Sequence, residues 1–171
     1  MSEHYYIDGY NLLHVFLKNK KSRHTDLEQQ RNQLIHLLQE FSSLTGSKVT
    51  VVFDGKSNEP IPYPLKKYPS TSHQIQILFS SEGSDADTLI EHYVYRETEK
   101  GNTFVVSHDR TLVQICIGMG ISVMKPEQFL KYYNEIQKSL ITQKHTFFQT
   151  LPVETSLREK LQDFLKSKTK K

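Results

Sequence analysis

Short β-prone segments alternate with helical segments along this chain, and this alternation is the feature that most restricts its fold. The predicted strands are 4–8, 48–53, 74–79, 103–107 and 121–124. The predicted helices are 25–44, 84–100, 110–117, one from Pro126 onward, and 154–166. Strands separated by helices favour an open, mainly parallel sheet with helices on both faces. We therefore predict an α/β fold with a central, mainly parallel five-stranded sheet.

The composition excludes several classes of protein. The length of 171 residues suits one globular domain and is short for two. No apolar run approaches the roughly 18 residues that a membrane helix needs, and the N-terminus lacks the basic-then-apolar order of a signal peptide. The single cysteine excludes an internal disulfide framework and a multi-cysteine zinc site. We expect a cytoplasmic protein without membrane contact.

Positive charge is concentrated at the C-terminus. Residues 155–171 carry six Lys or Arg and two acids, whereas the formal net charge of the whole chain is only +3. A basic tail indicates contact with a polyanion, although lysine-rich ends also serve solubility alone. We therefore predict a domain over residues 1–150, followed by a C-terminal helix and basic tail over 151–171.

Two further basic segments suit contact with nucleic-acid phosphates. One lies in a loop predicted just beyond the first strand, and the other belongs to a proline-rich irregular loop predicted over 56–72. Tyr63 and Tyr68 in the second loop are candidates for stacking on unpaired bases, with packing of the loop as the alternative. The predicted RNA-binding residues are Lys18, Lys20, Lys21, Arg23, Lys56, Tyr63, Lys66, Lys67 and Arg110.

Acidic residues stand at or just after the ends of four successive predicted strands. In chain order they are Asp8, Asp54, Asp85, Asp87, Glu91 and Asp109. Asp87 and Glu91 are four residues apart on a predicted helix and therefore share one of its faces. Because the carboxyl ends of parallel strands meet at one edge of a sheet, where such folds form their sites, we expect these side chains to converge.

Converging carboxylates indicate a metal site. Like charges at close range raise one another's pKa unless positive charge compensates. Mg²⁺ and Mn²⁺ prefer oxygen ligands and are the usual compensation. One or two such ions can activate a water, orient a phosphodiester and stabilise the departing oxygen. An acidic edge on a chain with separate basic segments therefore indicates metal-dependent cleavage of nucleic acid.

Each acid also has a purely structural interpretation. Asp-Gly at positions 8–9 and 54–55 suits a turn, and residues 84–87 have the form of a helix capping box. Asp109 is able to cap the helix that follows it. Turns and caps accept Asn, Ser and Gly as well, so these roles do not require an acid at four successive strand ends. The recurrence favours a shared site.

Three segments together resemble the YacP-like branch of the NYN endoribonucleases, which are relatives of the PIN-domain nucleases. The segments are YIDGYNLL (6–13) with VVFDG (51–55), then SEGSDADTLIE (81–91), then VVSHDR (105–110). The Asp-Gly-Tyr-Asn run is the most specific of these pieces. The resemblance covers roughly residues 4–135 and leaves the basic tail outside. It implies a PIN-like three-layer α/β/α sandwich over residues 1–150 and Mg²⁺- or Mn²⁺-dependent cleavage of RNA.

The resemblance also implies roles for the matched residues. The family's acidic positions and the asparagine beside the first acid correspond to Asp8, Asp54, Asp87, Asp109 and Asn11. Asp8, Asp87 and Asp109 are implied to hold the principal cation, and Asp54 and Glu91 a second ion or water. Asn11 is implied to orient a water or a phosphate oxygen. The implied substrate is single-stranded RNA, and in this family mRNA cleavage in association with translating ribosomes has been described.

Two positions depart from the family pattern. Asp85 stands where the family more often has threonine, so it is predicted to be either an extra metal ligand or only a helix cap. Ser107 and His108 replace the commoner Thr-Ser before the last acid. This replacement leaves His108 as a neighbour of the predicted metal without an assigned role.

Other functions fit parts of the sequence. Residues 85–88 spell the Asp-x-Asp-x-Thr of haloacid dehalogenase phosphatases, but that chemistry needs its first Asp directly at a strand end. A metal-independent ribonuclease would use histidine as acid and base, and His14, His73 and His108 have no informative spacing. A non-catalytic RNA- or ribosome-binding protein and a structure-specific DNA nuclease also remain alternatives. The sequence leaves the oligomeric state open.

Overall fold

A six-stranded sheet forms the centre of the structure, which is a computed structural model. Its strands are β1 (His4–Asp8), β2 (Lys48–Ser57), β3 (Ile61–Pro62), β4 (Ile75–Ser81), β5 (Thr103–Val106) and β6 (Ser122–Met124). The spatial order is β3-β4-β2-β1-β5-β6. All neighbouring pairs are parallel except β3 and β4, which are antiparallel. The predicted five-stranded parallel sheet is confirmed, and β3 adds a two-residue strand within the segment predicted as irregular.

The described part of the chain covers residues 2–18, 26–57, 61–62, 75–81 and 85–150. The side chains of residues 56–57, 61–62, 81 and 143–150 are outside this description. Two compact units are present, Met1–Tyr132 and Tyr133–Lys171. The whole sheet belongs to the first unit. The predicted helix over 154–166 and the basic tail lie outside the described residues, so the boundary predicted after residue 150 stays a prediction.

Five helices accompany the strands. They are α1 (Gly9–Lys18), α2 (Leu27–Thr45), α3 (Ala86–Arg96), α4 (Arg110–Gly118) and α5 (Pro126–Thr150), with a 3₁₀ turn at Lys100–Asn102. Gly46 ends α2 in the left-handed backbone conformation (φ 72°), as the sequence predicts. In the described part of the chain, every helix is too short or too polar to cross a bilayer.

Helix α1 corrects one prediction. The sequence predicts that Lys18 lies in a loop just beyond the first strand, but Lys18 is the last residue of α1. Ten helical residues rise about 15 Å, so Lys18 lies well away from the end of β1 along the chain path. The helix forms because its apolar side chains have somewhere to pack: Leu12, Leu13, Val15 and Phe16 are all buried.

Both faces of the central strand β1 are covered. On one face, the buried Tyr5 ring lies 5.1 Å from the Phe41 ring of α2 and 6.0 Å from the Phe129 ring of α5, measured between centroids. On the other face, Tyr6 belongs to an apolar cluster that includes Ile90 of α3 and Leu112 of α4. The result is helix, sheet and helix in three layers, as predicted.

Candidate active site

Asp8 is the last residue of β1 and is only 4% exposed. Its two oxygens are held by one residue of α1: the Asn11 backbone N–H donates to Oδ1 at 2.9 Å, and the Asn11 side-chain amide donates to Oδ2. Burial raises the pKa of Asp8, the Asn11 bonds lower it, and the nearby charge of Asp54 raises it. The position of Asp8 is therefore fixed before any ligand binds.

Gly9 allows this arrangement. Helix α1 begins at Gly9, immediately after Asp8, without an intervening loop. A Cβ atom at position 9 would collide with the Phe53 ring of β2. Glycine is needed here because the start of α1 approaches the Phe53 ring of β2 closely.

Asp87 lies in the first turn of α3 and is half-buried. Its Oδ1 atom is buried and has no hydrogen-bond partner among the described residues. Burial raises the pKa of Asp87 to about 6, together with the charges of four nearby carboxylates. In decreasing order of effect, these carboxylates are Asp8, Asp109, Asp85 and Asp54. The acids contributed by four separate chain segments therefore act on one another, as the strand-end pattern predicts.

Asp54 links β2 to the start of α3. The sequence predicts a strand end at residue 53, but β2 runs on to Ser57 with a register irregularity after Phe53. Asp54 is exposed, and its Oδ1 accepts a hydrogen bond from the Ala86 backbone N–H at 2.7 Å. The bond joins residues 32 positions apart in the chain and sets the N-terminus of α3 beside β2.

Asp85 and Asp109 are helix caps. Asp85 Oδ1 accepts from the Thr88 backbone N–H, and Asp109 Oδ1 accepts from the Leu112 backbone N–H, both at 2.8 Å. The cap predicted at Asp109 is confirmed. The capping box predicted over 84–87 is wrong by one residue, because Asp85 is the N-cap of α3. Asp85 is exposed, and its bonds with Thr88 lower its pKa.

Glu91 lies one turn beyond Asp87 and is exposed. The pKa of the Cys116 thiol in α4 is raised to about 11, mainly by burial and to a smaller extent by the charge of Glu91. The buried, protonated Cys116 fits the packing role predicted from the sequence. Glu91 shares a helix with Asp87, and its predicted metal role stays a prediction.

Carboxylate oxygens are the ligands that a hard divalent cation prefers. In the part of the chain that the structure describes, no three His, Cys, Asp or Glu side chains are arranged so that they could hold a metal ion. The buried Asp87 Oδ1 nevertheless lies among like charges, and a carboxylate oxygen in that setting calls for a positive partner. The cap bonds of Asp85 and Asp109 each use Oδ1, and a carboxylate accepts through both of its oxygens.

The predicted RNA-binding residues are described only in part. Arg110 is exposed and opens α4 directly after Asp109, and Lys18 is exposed at the end of α1. Those outside the description are Lys20, Lys21, Arg23, Tyr63, Lys66, Lys67, Tyr68 and the side chain of Lys56. Among the histidines, His14 is exposed on α1, His73 lies outside the described residues, and His108 Nε2 is 2.7 Å from Glu127 Oε2.

Arg31 of α2 is a candidate that the sequence analysis missed. Its guanidinium donates to the Tyr10 hydroxyl at 3.1 Å and lies 5.4 Å from the centroid of the Phe79 ring. Arg31 Nε is buried without a hydrogen-bond partner among the residues described. Tyr10, which accepts this bond, is two residues from Asp8 in the chain. An arginine within a polar helix carries no local signal of this contact.

The chain matches a known family over nearly its whole length. A family model described as "YacP-like NYN domain" matches residues 5–171, which include the tail that the sequence analysis left outside the resemblance. The chain is also similar to "Uncharacterized protein YacP" of Bacillus subtilis (strain 168), with 33% identity over 85 residues. That match covers 50% of this chain and 47% of the relative, so it spans about half the length of the relative.

Two solved structures share the fold. The crystal structure of Rae1 (YacP) from Bacillus subtilis superposes with a TM-score of 0.65 at 24% identity, covering 98% of this chain and 95% of that one. A mutant of the same protein gives a TM-score of 0.66 at 22% identity, covering 90% and 88%. These similarities concern the fold alone, and they confirm the predicted PIN-like α/β architecture.

Proposed function

The chain belongs to the YacP-like NYN domain family, and from this premise we propose that it is an endoribonuclease that hydrolyses single-stranded RNA with Mg²⁺ or Mn²⁺. The family supports a nuclease-type function related to RNA. The observation that carries the proposal is the buried Asp87 Oδ1, which has no hydrogen-bond partner in the described chain and is surrounded by other carboxylates.

Asp8, Asp87 and Asp109 are the residues that we assign to the principal cation, with Asp54 and Glu91 beside them. A bound divalent cation would supply an activated water and a positive charge for the departing oxygen. Backbone N–H groups of other residues hold three of these carboxylates in place. Asn11 donates to Asp8, Ala86 to Asp54 and Leu112 to Asp109. Ligands held in this way lose little conformational entropy when the ion binds.

Asn11 receives a positioning role in this proposal. The sequence analysis expects Asn11 to orient a water or a phosphate oxygen. In the structure its amide donates to Asp8 Oδ2 while its backbone N–H donates to Oδ1. Both bonds favour the ionised form of Asp8 and oppose the effect of burial on its pKa. Asn11 therefore favours the charged form of Asp8 and fixes the orientation of its carboxylate.

The substrate contacts that we propose come from basic residues around the acidic edge. Arg110 is exposed next to Asp109, so its guanidinium is available to a backbone phosphate of an RNA strand at the site. We include mRNA, free or on the ribosome, as the substrate to be tested. Hydrolysis by an activated water would leave 5′-phosphate and 3′-hydroxyl ends.

The test compares wild type, Asp8→Asn and His14→Gln on labelled mRNA, with and without ribosomes, in Mn²⁺, Mg²⁺ or chelator. We expect cleavage in metal and none in chelator, with a loss of about a hundredfold in Asp8→Asn. His14→Gln is the matched control, because His14 is exposed on the same helix that begins after Asp8. Mapping the ends should give 5′-phosphates.

Several results would contradict the proposal, each in favour of a different function. Cyclic phosphate ends that persist in chelator would indicate histidine chemistry. Salt-sensitive RNA binding without cleavage in any metal would indicate a non-catalytic RNA-binding protein. Preferential cleavage of branched DNA would indicate a DNA nuclease. Equal cleavage by wild type and Asp8→Asn would place the activity elsewhere.

A further inference from the structure

An opening lies between α4 and β6, and the residues on either side of Asp109 in the chain line it. This α4–β6 pocket has a volume of about 450 Å³. Its lining includes His108, Arg110, Val113, Ile117, Val123 and Lys125. His108 and Arg110 flank Asp109 in the chain, so the pocket and the acidic site share one loop. A strand of nucleic acid that reaches Asp109 therefore has this pocket as its immediate neighbour.

The inner surface of the pocket is apolar and partly open to water. Val113 and Val123 are half-buried, and Ile117 is 62% exposed. A flat apolar group that covers these side chains would remove their surface from water, which favours binding. A volume of about 450 Å³ lies within the range of small-molecule sites. The pocket is thus large enough for a nucleobase and its sugar.

The rim of the pocket carries positive charge. Arg110 and Lys125 are exposed and both line the opening. The Lys125 backbone N–H donates to Gln128 Oε1 at 2.9 Å, which fixes the start of α5 at this place. His108 Nε2 lies 2.7 Å from Glu127 Oε2, so these two groups are paired with each other. Arg110 and Lys125 are the cations that complement a phosphate.

We propose that the α4–β6 pocket binds one nucleotide of the RNA strand, next to the phosphate that is cleaved. The base lies against Ile117, Val113 and Val123, and its phosphate lies between Arg110 and Lys125. This inference rests on the proposed function and adds to it the place where the strand is held. The lining also includes the polar side chains of Ser107, Gln114 and Gln128, which can contact the edge of a base.

Binding measurements in chelator test the pocket without relying on cleavage. The probe is a fluorescently labelled single-stranded RNA oligonucleotide, whose affinity is measured by anisotropy. We expect Ile117→Ser to weaken binding about fivefold, because part of the apolar surface that covers the base is lost. Ile141→Ser is the matched control, an isoleucine that is 57% exposed on α5. It should bind as the wild type does.

The phosphate contact has its own measurement. Each phosphate contact with single-stranded nucleic acid contributes about −0.7 to the slope of log affinity against log salt. We therefore expect Lys125→Ala to make the slope shallower by about 0.7, and the exposed Lys138→Ala to leave it unchanged. Circular-dichroism melting of every variant checks that the fold is kept.

A scan with abasic RNA tests the pocket on the wild-type protein. In a series of RNAs that each lack one base, the RNA that lacks the base held in the pocket should bind about fivefold more weakly than the others. In Ile117→Ser, this difference should disappear. Equal affinities for all abasic RNAs, or an unchanged affinity of Ile117→Ser, would overturn the pocket even if the protein cleaves RNA. Weakened binding by Ile117→Ser without any cleavage would support the pocket and overturn the proposed function.

Discussion

Two aspartates at the start of α3 have the same side chain and different environments. Asp85 is exposed and caps the helix, whereas Asp87 is half-buried and lies among the other acids. Asp85 is the N-cap and has an extended backbone, whereas Asp87 lies within the first helical turn. Asp85 is predicted to be either an extra metal ligand or only a helix cap. Comparing its replacement with that of Asp87 tests which of these roles it has.

Replacement of Asp87 should separate function from stability. We expect Asp87→Asn to reduce RNA cleavage about a hundredfold. In chelator, we expect the same change to raise the free energy of unfolding by about 1 kcal/mol near neutral pH, a value reduced for the partial exposure of the group. The stability increases because the substitution removes a charge that burial and four neighbouring acids disfavour. Urea unfolding measures this change in the free energy of unfolding.

Asp85→Asn is the matched control for this experiment. Asparagine caps a helix as well as aspartate does, so the free energy of unfolding should stay within about 0.5 kcal/mol of wild type. Cleavage should also be close to that of wild type. A loss of cleavage as large as that of Asp87→Asn would instead identify Asp85 as a metal ligand.

His4 lies at the other end of β1 and gives the protein a pH dependence of its own. His4 Nδ1 is 2.9 Å from Glu97 Oε1, and His4 Nε2 is 2.9 Å from Thr50 Oγ1. The Tyr6 hydroxyl donates to the same Glu97 oxygen. Burial lowers the pKa of His4 below 6.5 and outweighs the opposing effect of Glu97, while Lys48 lowers it further.

The sign of the effect follows from this pKa. The unfolded chain protonates His4 at a higher pH than the folded chain, so the free energy of unfolding falls as pH drops from about 6.5 toward the folded pKa. His4→Gln should remove this part of the pH dependence in urea unfolding. An NMR titration of the His4 ring should give a midpoint below 6.5. A midpoint above that value would mean that Glu97 dominates.

At the scale of single elements, the sequence predicts what depends on local pattern. The strands 4–8 and 103–107 match β1 and β5 because their apolar residues are continuous and buried on both faces. Helix α1 was missed because Asp-Gly at 8–9 suits a turn and lysines follow residue 17. Strand β3 was missed because its two residues, one of them proline, form a strand only by pairing with β4.

The junction between β1 and α1 is the most sensitive of these elements. Gly9→Ala would place a Cβ atom against the Phe53 ring. We expect the free energy of unfolding to fall by about 2 kcal/mol and cleavage to fall as well, since Asp8 and Asn11 flank this position. Differential scanning calorimetry and the mRNA assay measure the two effects.

Gly118→Ala is the control for Gly9→Ala. Gly118 is the last residue of α4, and a Cβ atom there meets nothing within 4 Å. Alanine in a helix is more favourable than glycine, so the stability of Gly118→Ala should equal or exceed that of wild type. Equal stabilities of the two variants would show that the start of α1 tolerates a side chain.

At the scale of the whole molecule, the sheet order explains why the acids lie along one edge of the sheet. β1 lies between β2 and β5, so Asp8 has Asp54 on one side and Asp109 on the other. Parallel topology makes this convergence predictable from the sequence. The bond from Ala86 to Asp54, the contact of Arg31 with Tyr10 and the α4–β6 pocket are not predictable in the same way, because each depends on the packing of segments distant in the chain.

Metal binding should stabilise the folded protein as a whole. A ligand that binds only the folded state at ten times its Kd adds about 1.4 kcal/mol to the free energy of unfolding. We expect Mn²⁺ to raise the Tm of wild type, while Asp87→Asn shows a much smaller rise at the same concentration. Thermal melts in Mn²⁺ and in chelator measure this difference. Identical rises in both proteins would place the bound ion away from Asp87.

The central position of β1 also has a consequence for how the protein is made. Asp8 is synthesised well before the strand that completes its surroundings, because β5 begins at Thr103 and Asp109 follows that strand. A nascent chain that has not yet exposed β5 and Asp109 lacks one side of the acidic edge. Under the proposed function, such a chain cannot cut the message from which it is being translated until synthesis is well advanced.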